Sequence, residues 1–272
     1  MRQDLTPYVL PDGNVHIAFS GGRTSAYMLH QILEANGGLP DRTRVVFSNT
    51  GREMPGTLDF VQECGSRWGV RIDWVEYAPD KPWFQTVSHN SAARSGEPFE
   101  AMIRHKRYIP NGRKRICTEQ LKVRAARRML VAQGWKRWSK ALGIRADEPQ
   151  RHDQPDQPRE SIWLPLVKAH VRRVEVLNFW RAQPFDLPAG TESNCRLCFQ
   201  FDRMKLGRQM LADPADKWPE RMEAIGHGTF IDGTPWRDLR ARLMAQPDLL
   251  HHVERHFRHR PCGASQDGEC TG

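Results

Sequence analysis

No run of about 18 apolar residues occurs in the 272-residue chain, so it offers no helix able to span a bilayer. The opening Met1-Arg2-Gln3-Asp4-Leu5 lacks the apolar core of a signal peptide, and a cytoplasmic location is expected. Cysteine is scarce too. Six cysteines in a chain of this size, two of them as Cys195-x-x-Cys198, suit metal or redox chemistry in a reducing compartment better than a disulfide framework. With 39% hydrophobic residues the chain can nonetheless bury a real core, as one large domain or a domain with an addition on its C-terminal side. The formal charge of +9 favours anionic ligands and does not choose between nucleotides and nucleic acid.

The chain is best organised around Val15-His16-Ile17-Ala18-Phe19-Ser20-Gly21-Gly22-Arg23-Thr24-Ser25, which reads as a buried strand, a glycine turn and a helix start. Gly21 and Gly22 permit a sharp turn and close approach of a ligand, and Thr24 or Ser25 can cap the helix. Helix-start amides and the helix dipole would hold an anion there, most naturally a phosphate. A helix is expected over 26–35, then a short strand at Val45-Val46-Phe47 leading into Ser48-Asn49-Thr50-Gly51. Leu58, Val61, Gly65 and Trp68 repeat at helical spacing, and a third strand follows over 70–77. Strands with helices between them imply a parallel sheet, whose ligands sit at the carboxyl ends of the strands.

From 78 to 115 prolines punctuate a polar excursion that ends in a basic run, Arg104-His105-Lys106-Arg107 and Arg113-Lys114-Arg115. That run is either a solvated face or a phosphate-binding rim with Tyr108 as a stacking surface. Leu121, Ala125, Met129 and Ala132 then mark a helix with Lys122, Arg124, Arg127 and Arg128 on its outer face. Strands are expected at 138–144 and 162–166, and helices at 174–181 and 201–212. Cys64 falls on an apolar helix face as a small core residue. Four histidines between His251 and His259 read as a solvated surface, and the last residues as an unstructured tail carrying Cys262 and Cys270.

Ser20-Gly21-Gly22-Arg23-Thr24-Ser25 resembles the SGGxDS pyrophosphate loop of the adenine nucleotide α-hydrolase superfamily. Asn49-Thr50-Gly51-x-Glu53-x-Pro55-x-Thr57-Leu58 resembles the second motif of its phosphoadenosine phosphosulfate reductase branch. Gly143-x-Arg145-x-x-Glu148-x-x-Arg151 is similar to that branch's GxRxxQSxxR element, and Cys117-x-x-x-x-Lys122, Pro165-Leu166 and Cys195-x-x-Cys198 follow in the expected order. The closing Gly268-Glu269-Cys270-Thr271-Gly272 is similar to the ends of short phage and prophage members.

The resemblance implies an α/β, Rossmann-like, doubly wound and mainly parallel sheet of about five strands. It divides the chain into a nucleotide-binding domain over 1–166 and a helical, cysteine-bearing region over 167–272. Ser20, Gly21, Gly22 and Ser25 would cradle the phosphate or sulfate and Asn49, Thr50 and Gly51 would flank the adenosine. Arg23, Thr24, Glu53, Lys122, Gly143 and Glu148 would complete the nucleotide site. Arg145 and Arg151 would grip the anion bidentately, unless they form a surface pair with Asp147 and Glu148. Thr24 stands where the loop pattern has an acid, and Arg23 where many ATP-using members have lysine, which counts against magnesium-assisted ATP cleavage and leaves anion binding intact.

Cys117 lacks the second cysteine of the iron–sulfur type, and Cys262 from the tail is expected as the replacement ligand. The resemblance thus implies a [4Fe–4S] cluster on Cys117, Cys195, Cys198 and Cys262, with structural zinc on the same thiolates or unliganded cysteines as alternatives. Cys270 resembles the terminal Glu-Cys nucleophile of the reductases, which needs a thioredoxin-like thiol donor for regeneration. Three functions follow as expectations: reduction of a sulfated adenosine nucleotide, ATP-dependent thiolation of a nucleic acid, or a catalytically inactive nucleotide-binding module.

Overall fold

Short apolar runs bounded by glycine, serine and asparagine become the strands of one sheet. In the computed structural model, which describes residues 4–191 and 195–245, these are β1 (Val15–Ala18), β2 (Thr43–Asn49), β3 (Ile72–Tyr77), β4 (Phe84–Val87), β5 (Trp138–Ala141) and β6 (Glu160–Trp163). The described residues form a six-stranded sheet of order β4-β3-β2-β1-β5-β6, parallel throughout except for β4 at the edge. The five strands expected from sequence are the parallel ones. The sixth, β4, lies inside the proline-punctuated excursion, where half-exposed Phe-Gln-Thr-Val carries no strong pattern and becomes a strand by pairing with β3.

From β1 the chain winds outward through β2 and β3, then returns to lay β5 and β6 on the other side of β1. The switch point therefore lies between the carboxyl ends of β1 and β5, where a doubly wound sheet opens a crevice. The glycine loop follows β1 and the Gly143 loop follows β5.

One face of the sheet is covered by α1 (Arg23–Asn36) and α2 (Pro55–Arg67), which bury Met28, Leu29, Ile32, Leu58 and Phe60 against Ile17 and Phe47. The short α5 (Pro165–Lys168) and α6 (Arg173–Arg181) join the same core through Leu166, Val176 and Trp180. Cys64 is fully buried there, and burial pushes its thiol far above the ordinary range, as befits a core residue. On the other face α4 (Ala125–Ala132) packs Ala126, Met129 and Leu130 on Val46, Val75 and Trp138.

Immediately before α4, residues Thr118–Arg124 form a π-helical segment rather than the first turns of an α-helix. Its wider i→i+5 turn buries three consecutive residues, Gln120, Leu121 and Lys122. Lys122 is thus taken off the outer basic face expected for it, while Arg127 on α4 bonds Glu160 at 3.1 Å.

A further core joins α3 (Glu97–Lys106) to α7 (Arg203–Ala212), α8 (Trp218–Ile225) and α9 (Trp236–Met244), around Met102, Met210 and Trp236. It is tied to the loop after β2 by Arg52, whose guanidinium lies 2.5 Å from Asp216 and 4.8 Å from the Trp218 ring centre. No helix among the described residues is long and apolar enough to cross a membrane.

Candidate functional site

The loop after β1 is held open by its own hydroxyls. Ser25 Oγ accepts from the Ser20 amide at 3.2 Å, bonds Ser20 Oγ at 2.9 Å and donates to the Gly22 carbonyl at 3.0 Å. Helix α1 starts at Arg23 with Gly22 as its N-cap, and no side chain caps it, contrary to the expectation for Thr24 or Ser25. Ser25 is committed to the turn and Thr24 Oγ1 accepts from Arg145 at 3.0 Å, so neither hydroxyl closes the helix end. The two glycines have separate tasks. Gly21 has φ +79°, and a β-carbon on it would meet Thr57 at 2.8 Å; Gly22 is extended, at φ −101°.

Beside this loop a narrow cleft runs down the α4 face of the sheet. Ser20 and Ser48 stand at its outer end, Val46 and Ala126 along its sides, and His16 and Lys140 at its inner end, with Lys122 on the wall.

The turn after β2 is a closed hydrogen-bonded unit. Asn49 donates to Glu76 at 2.6 Å and to the Ala93 carbonyl at 2.9 Å, and accepts from the Gly51 amide at 3.1 Å. Glu53 accepts from the Thr50 amide and hydroxyl, each at 2.9 Å. Asn49, Thr50 and Glu53 are all buried, and it is the preceding Ser48 that lines the cleft. Thr50 instead faces a second cavity, where its hydroxyl lies 3.1 Å from Cys195 Sγ.

That second cavity gathers Cys117, Cys195 and Cys198 with Phe99, Trp218 and Phe230 around them. Cys117 ends the approach to the π-helical segment, and Cys195 and Cys198 flank a turn in which Leu197 takes a left-handed φ of +54°. Leu197 is kept there by burial and by donating its amide to Gln209 at 2.6 Å. Among the described residues no three His, Cys, Asp or Glu side chains are drawn together as ligands of a single ion. Thiol donors spaced around a cavity still fit a thiolate-held group, because soft sulfur ligands are what zinc and iron–sulfur clusters select. Lys122 lines both cavities and so forms the partition between them. Cys262, Cys270 and the histidines 251–259 lie outside the described residues.

Several members of the basic run have partners within the protein. Arg104 pairs with Glu100 at 2.6 Å, Arg113 with Asp232 at 2.5 Å, and the Lys114 ammonium sits 5.0 Å from the Tyr108 ring centre.

The family model described as "Phosphoadenosine phosphosulfate reductase domain" matches residues 14–168, which span the glycine loop, all six strands and the Gly143 loop. The chain belongs to the phosphoadenosine phosphosulfate reductase family. It is 30% identical over 202 residues to the "Uncharacterized nin region protein ORF290" of Escherichia phage lambda, covering 70% of this chain and 67% of that protein. Among solved structures it is similar to the phosphoadenylyl-sulfate (PAPS) reductase of Candida auris in its phosphate complex, at 17% identity and a TM-score of 0.40. That match covers 65% of this chain and 75% of the other.

Within this member of the reductase family the loop departures have structural partners. Arg23 donates to Asp186 at 2.7 and 2.9 Å and to the Leu187 carbonyl at 2.7 Å, so its guanidinium fastens the chain after α6 to α1 instead of entering the cleft. Arg145 donates to Thr24 and, at 3.0 Å, to Asp147; Glu148 in turn accepts from the Arg145 amide and pairs with Arg151. The surface-pair alternative for these arginines is thus met in part, with the difference that Arg145 and Glu148 are buried. Gly143 lets this loop touch α1, since a β-carbon on it would stand 3.1 Å from the Ser25 backbone.

Replacing Arg145 with Met removes one of the two cations beside buried Glu148, which keeps Arg151, and a donor from Thr24. The expected cost is about 2 kcal/mol, with a thermal midpoint roughly 4–8 °C lower. An unchanged melting curve would show the network to be dispensable.

Sequence reasoning missed His16 and Lys140 as cleft residues, and placed Ser48 only as part of the stretch 48–51 at the sheet edge. The available signal was a basic side chain in the middle of each of two short strands, Val-His-Ile-Ala and Trp-Ser-Lys-Ala.

Proposed function

We propose that the protein reduces a sulfated adenosine nucleotide, either phosphoadenosine phosphosulfate or adenosine phosphosulfate. The observation that supports this reading most directly is Lys122, which borders both the nucleotide cleft and the cysteine cavity. A cation shared by the two would neutralise an anionic sulfate held between them.

Cys117, Cys195 and Cys198 would hold a [4Fe–4S] cluster, with Cys262 as fourth ligand. Thiols lining one cavity are the soft ligands such a cluster selects, and zinc on the same thiolates is the alternative reading. When bound, the cluster would supply a polarising, redox-active neighbour to the substrate. The protein's own groups do the rest. Amides of the Ser20–Ser25 loop hold the anion, Lys122 balances its charge, and the apolar walls exclude water.

In the covalent step the Cys270 thiolate attacks the sulfate sulfur and breaks its bond to the phosphate oxygen. The adenosine phosphate leaves and a cysteine S-sulfonate forms. A dithiol donor of thioredoxin type then provides two electrons, releasing sulfite and ending as its own disulfide.

Calorimetry on the anaerobically purified chain with ATP, adenosine phosphosulfate and phosphoadenosine phosphosulfate tests the reading, followed by a sulfite assay with a dithiol donor. A sulfated nucleotide should bind most tightly and yield sulfite. ATP binding without sulfite from either sulfated nucleotide would transfer the assignment to ATP-dependent modification. Absence of binding to all three would remove the nucleotide reading.

A further inference from the structure

Trp83, the residue before β4, takes a left-handed φ of +70°, in the region that favours glycine. Contacts from three elements hold it there. Its amide donates to the Asp80 carbonyl at 2.6 Å, its carbonyl accepts from Arg128 of α4 at 3.3 Å, and the same guanidinium lies 5.8 Å from its ring centre. His105, in the last turn of α3, meets the indole at a right angle with ring centres 5.5 Å apart. The end of α3, α4 and the loop before β4 thus converge on one partly exposed aromatic ring.

The chain that leaves this point is basic. His105, Lys106 and Arg107 are exposed, and no Asp or Glu stands in sequence between Glu100 and Glu119. Arg104 and Arg113 are paired with carboxylates, whereas Lys106, Arg107 and Lys114 form no ion pair among the described residues. Lys114 lies over Tyr108, the second partly exposed ring of the stretch. A ring beside a cation therefore stands at each end of His105-Lys106-Arg107-Tyr108, with two uncompensated cations between. Solvation of a charged face needs no rings. A single strand of nucleic acid uses both, because cations follow its phosphates while its unpaired bases stack on aromatic side chains. In a duplex the bases already stack on one another and leave such rings unused.

We propose that the surface from Trp83 through Lys106 and Arg107 to Tyr108 binds single-stranded nucleic acid, with Trp83 stacking a base and Lys106 and Arg107 neutralising phosphates. The formal charge of +9 draws such a polyanion to the protein. The bound strand lies beside the chain that runs on through Arg115 to Cys117, at the border of the cysteine cavity. None of these surface residues lines the cleft beside the glycine loop, so the surface is independent of the nucleotide reading.

Fluorescence anisotropy on the full chain provides the test, with labelled single-stranded DNA and RNA of mixed sequence, about 20 nucleotides long, and the matching DNA duplex, from about 50 to about 300 mM salt. Wild type should bind at least one single strand about tenfold or more tighter than duplex, and the tighter of DNA and RNA names the natural class. Trp83→Ala should weaken single-strand binding about tenfold and leave the salt dependence as it was, because a lost stack releases no counterions. Lys106→Gln combined with Arg107→Gln should instead flatten the slope of log affinity against log salt by about 1.4, the share of two phosphates.

Failure of wild type to bind either single strand at the lowest salt overturns the assignment and leaves the nucleotide reading standing. Equal affinity for single strand and duplex overturns it as well, a comparison that needs no variant to fold. Single-strand binding unchanged in the double variant puts the interface elsewhere and also overturns it. That variant is confined to exposed side chains, so it decides the location even where Trp83→Ala melts early.

Discussion

Replacing Gly22 with Val abolishes adenine-nucleotide binding and leaves the thermal midpoint within a few degrees of wild type. The expectation comes from the division of labour between the two loop glycines. Gly22 is extended, a conformation any residue adopts, so valine causes no backbone strain there. It is also the N-cap of a helix that no side chain caps, so a branched side chain is added where an anion must approach the first turn.

Gly21 is the necessary contrast. Its φ of +79° and the 2.8 Å approach of Thr57 make Gly21→Ala a folding defect, costing about 1–2 kcal/mol for the left-handed backbone before any clash. Calorimetry and melting curves on both variants separate the effects. If Gly22→Val binds nucleotide like wild type, the loop is an ordinary strand-to-helix turn.

The second large effect is on colour. Anaerobically purified protein should be brown, and Cys195→Ser or Cys198→Ser should bleach it and lower the melting temperature. Each variant removes one of the thiols that the left-handed turn at Leu197 directs around the cavity. Cys270→Ser should keep the colour and stop sulfite release, because its thiolate is the nucleophile and not a ligand. The reverse, with Cys270 needed for iron and Cys262 dispensable, would exchange the roles of the two. Colourless protein holding one zinc per chain would refute the cluster. Absorption spectra and metal analysis on the Cys195→Ser, Cys198→Ser, Cys262→Ser and Cys270→Ser variants decide among these outcomes.

Ser20 to Ser25 and the Gly143 loop were legible because glycine and hydroxyl residues directly after a short apolar strand have few other uses. The family assignment follows the same stretches, and the matched region 14–168 contains both. Asn49, Thr50 and Glu53 were legible as a motif but not as a structure. Their side chains bond to each other, to Glu76 and to Ala93, partners far along the chain, and they brace the Cys195 wall rather than line the cleft. Arg23 was misplaced for a similar reason, since nothing near it in sequence announces Asp186.

The sequence by itself determined the strand-and-helix alternation, the parallel strands and the position of the anion loop at a carboxyl edge. These depend on local periodicity and on glycine, and both act within a few residues. Only the tertiary structure decided that Lys122 is buried between two cavities, because a π-helical register is a choice among hydrogen bonds that the side-chain pattern does not encode. It also decided that Cys117 lines one cavity with Cys195 and Cys198, and that His16 lies beside Lys140. Both depend on which strand pairs with which and on a second core closing over the first, and such long-range contacts are settled by packing the whole chain at once.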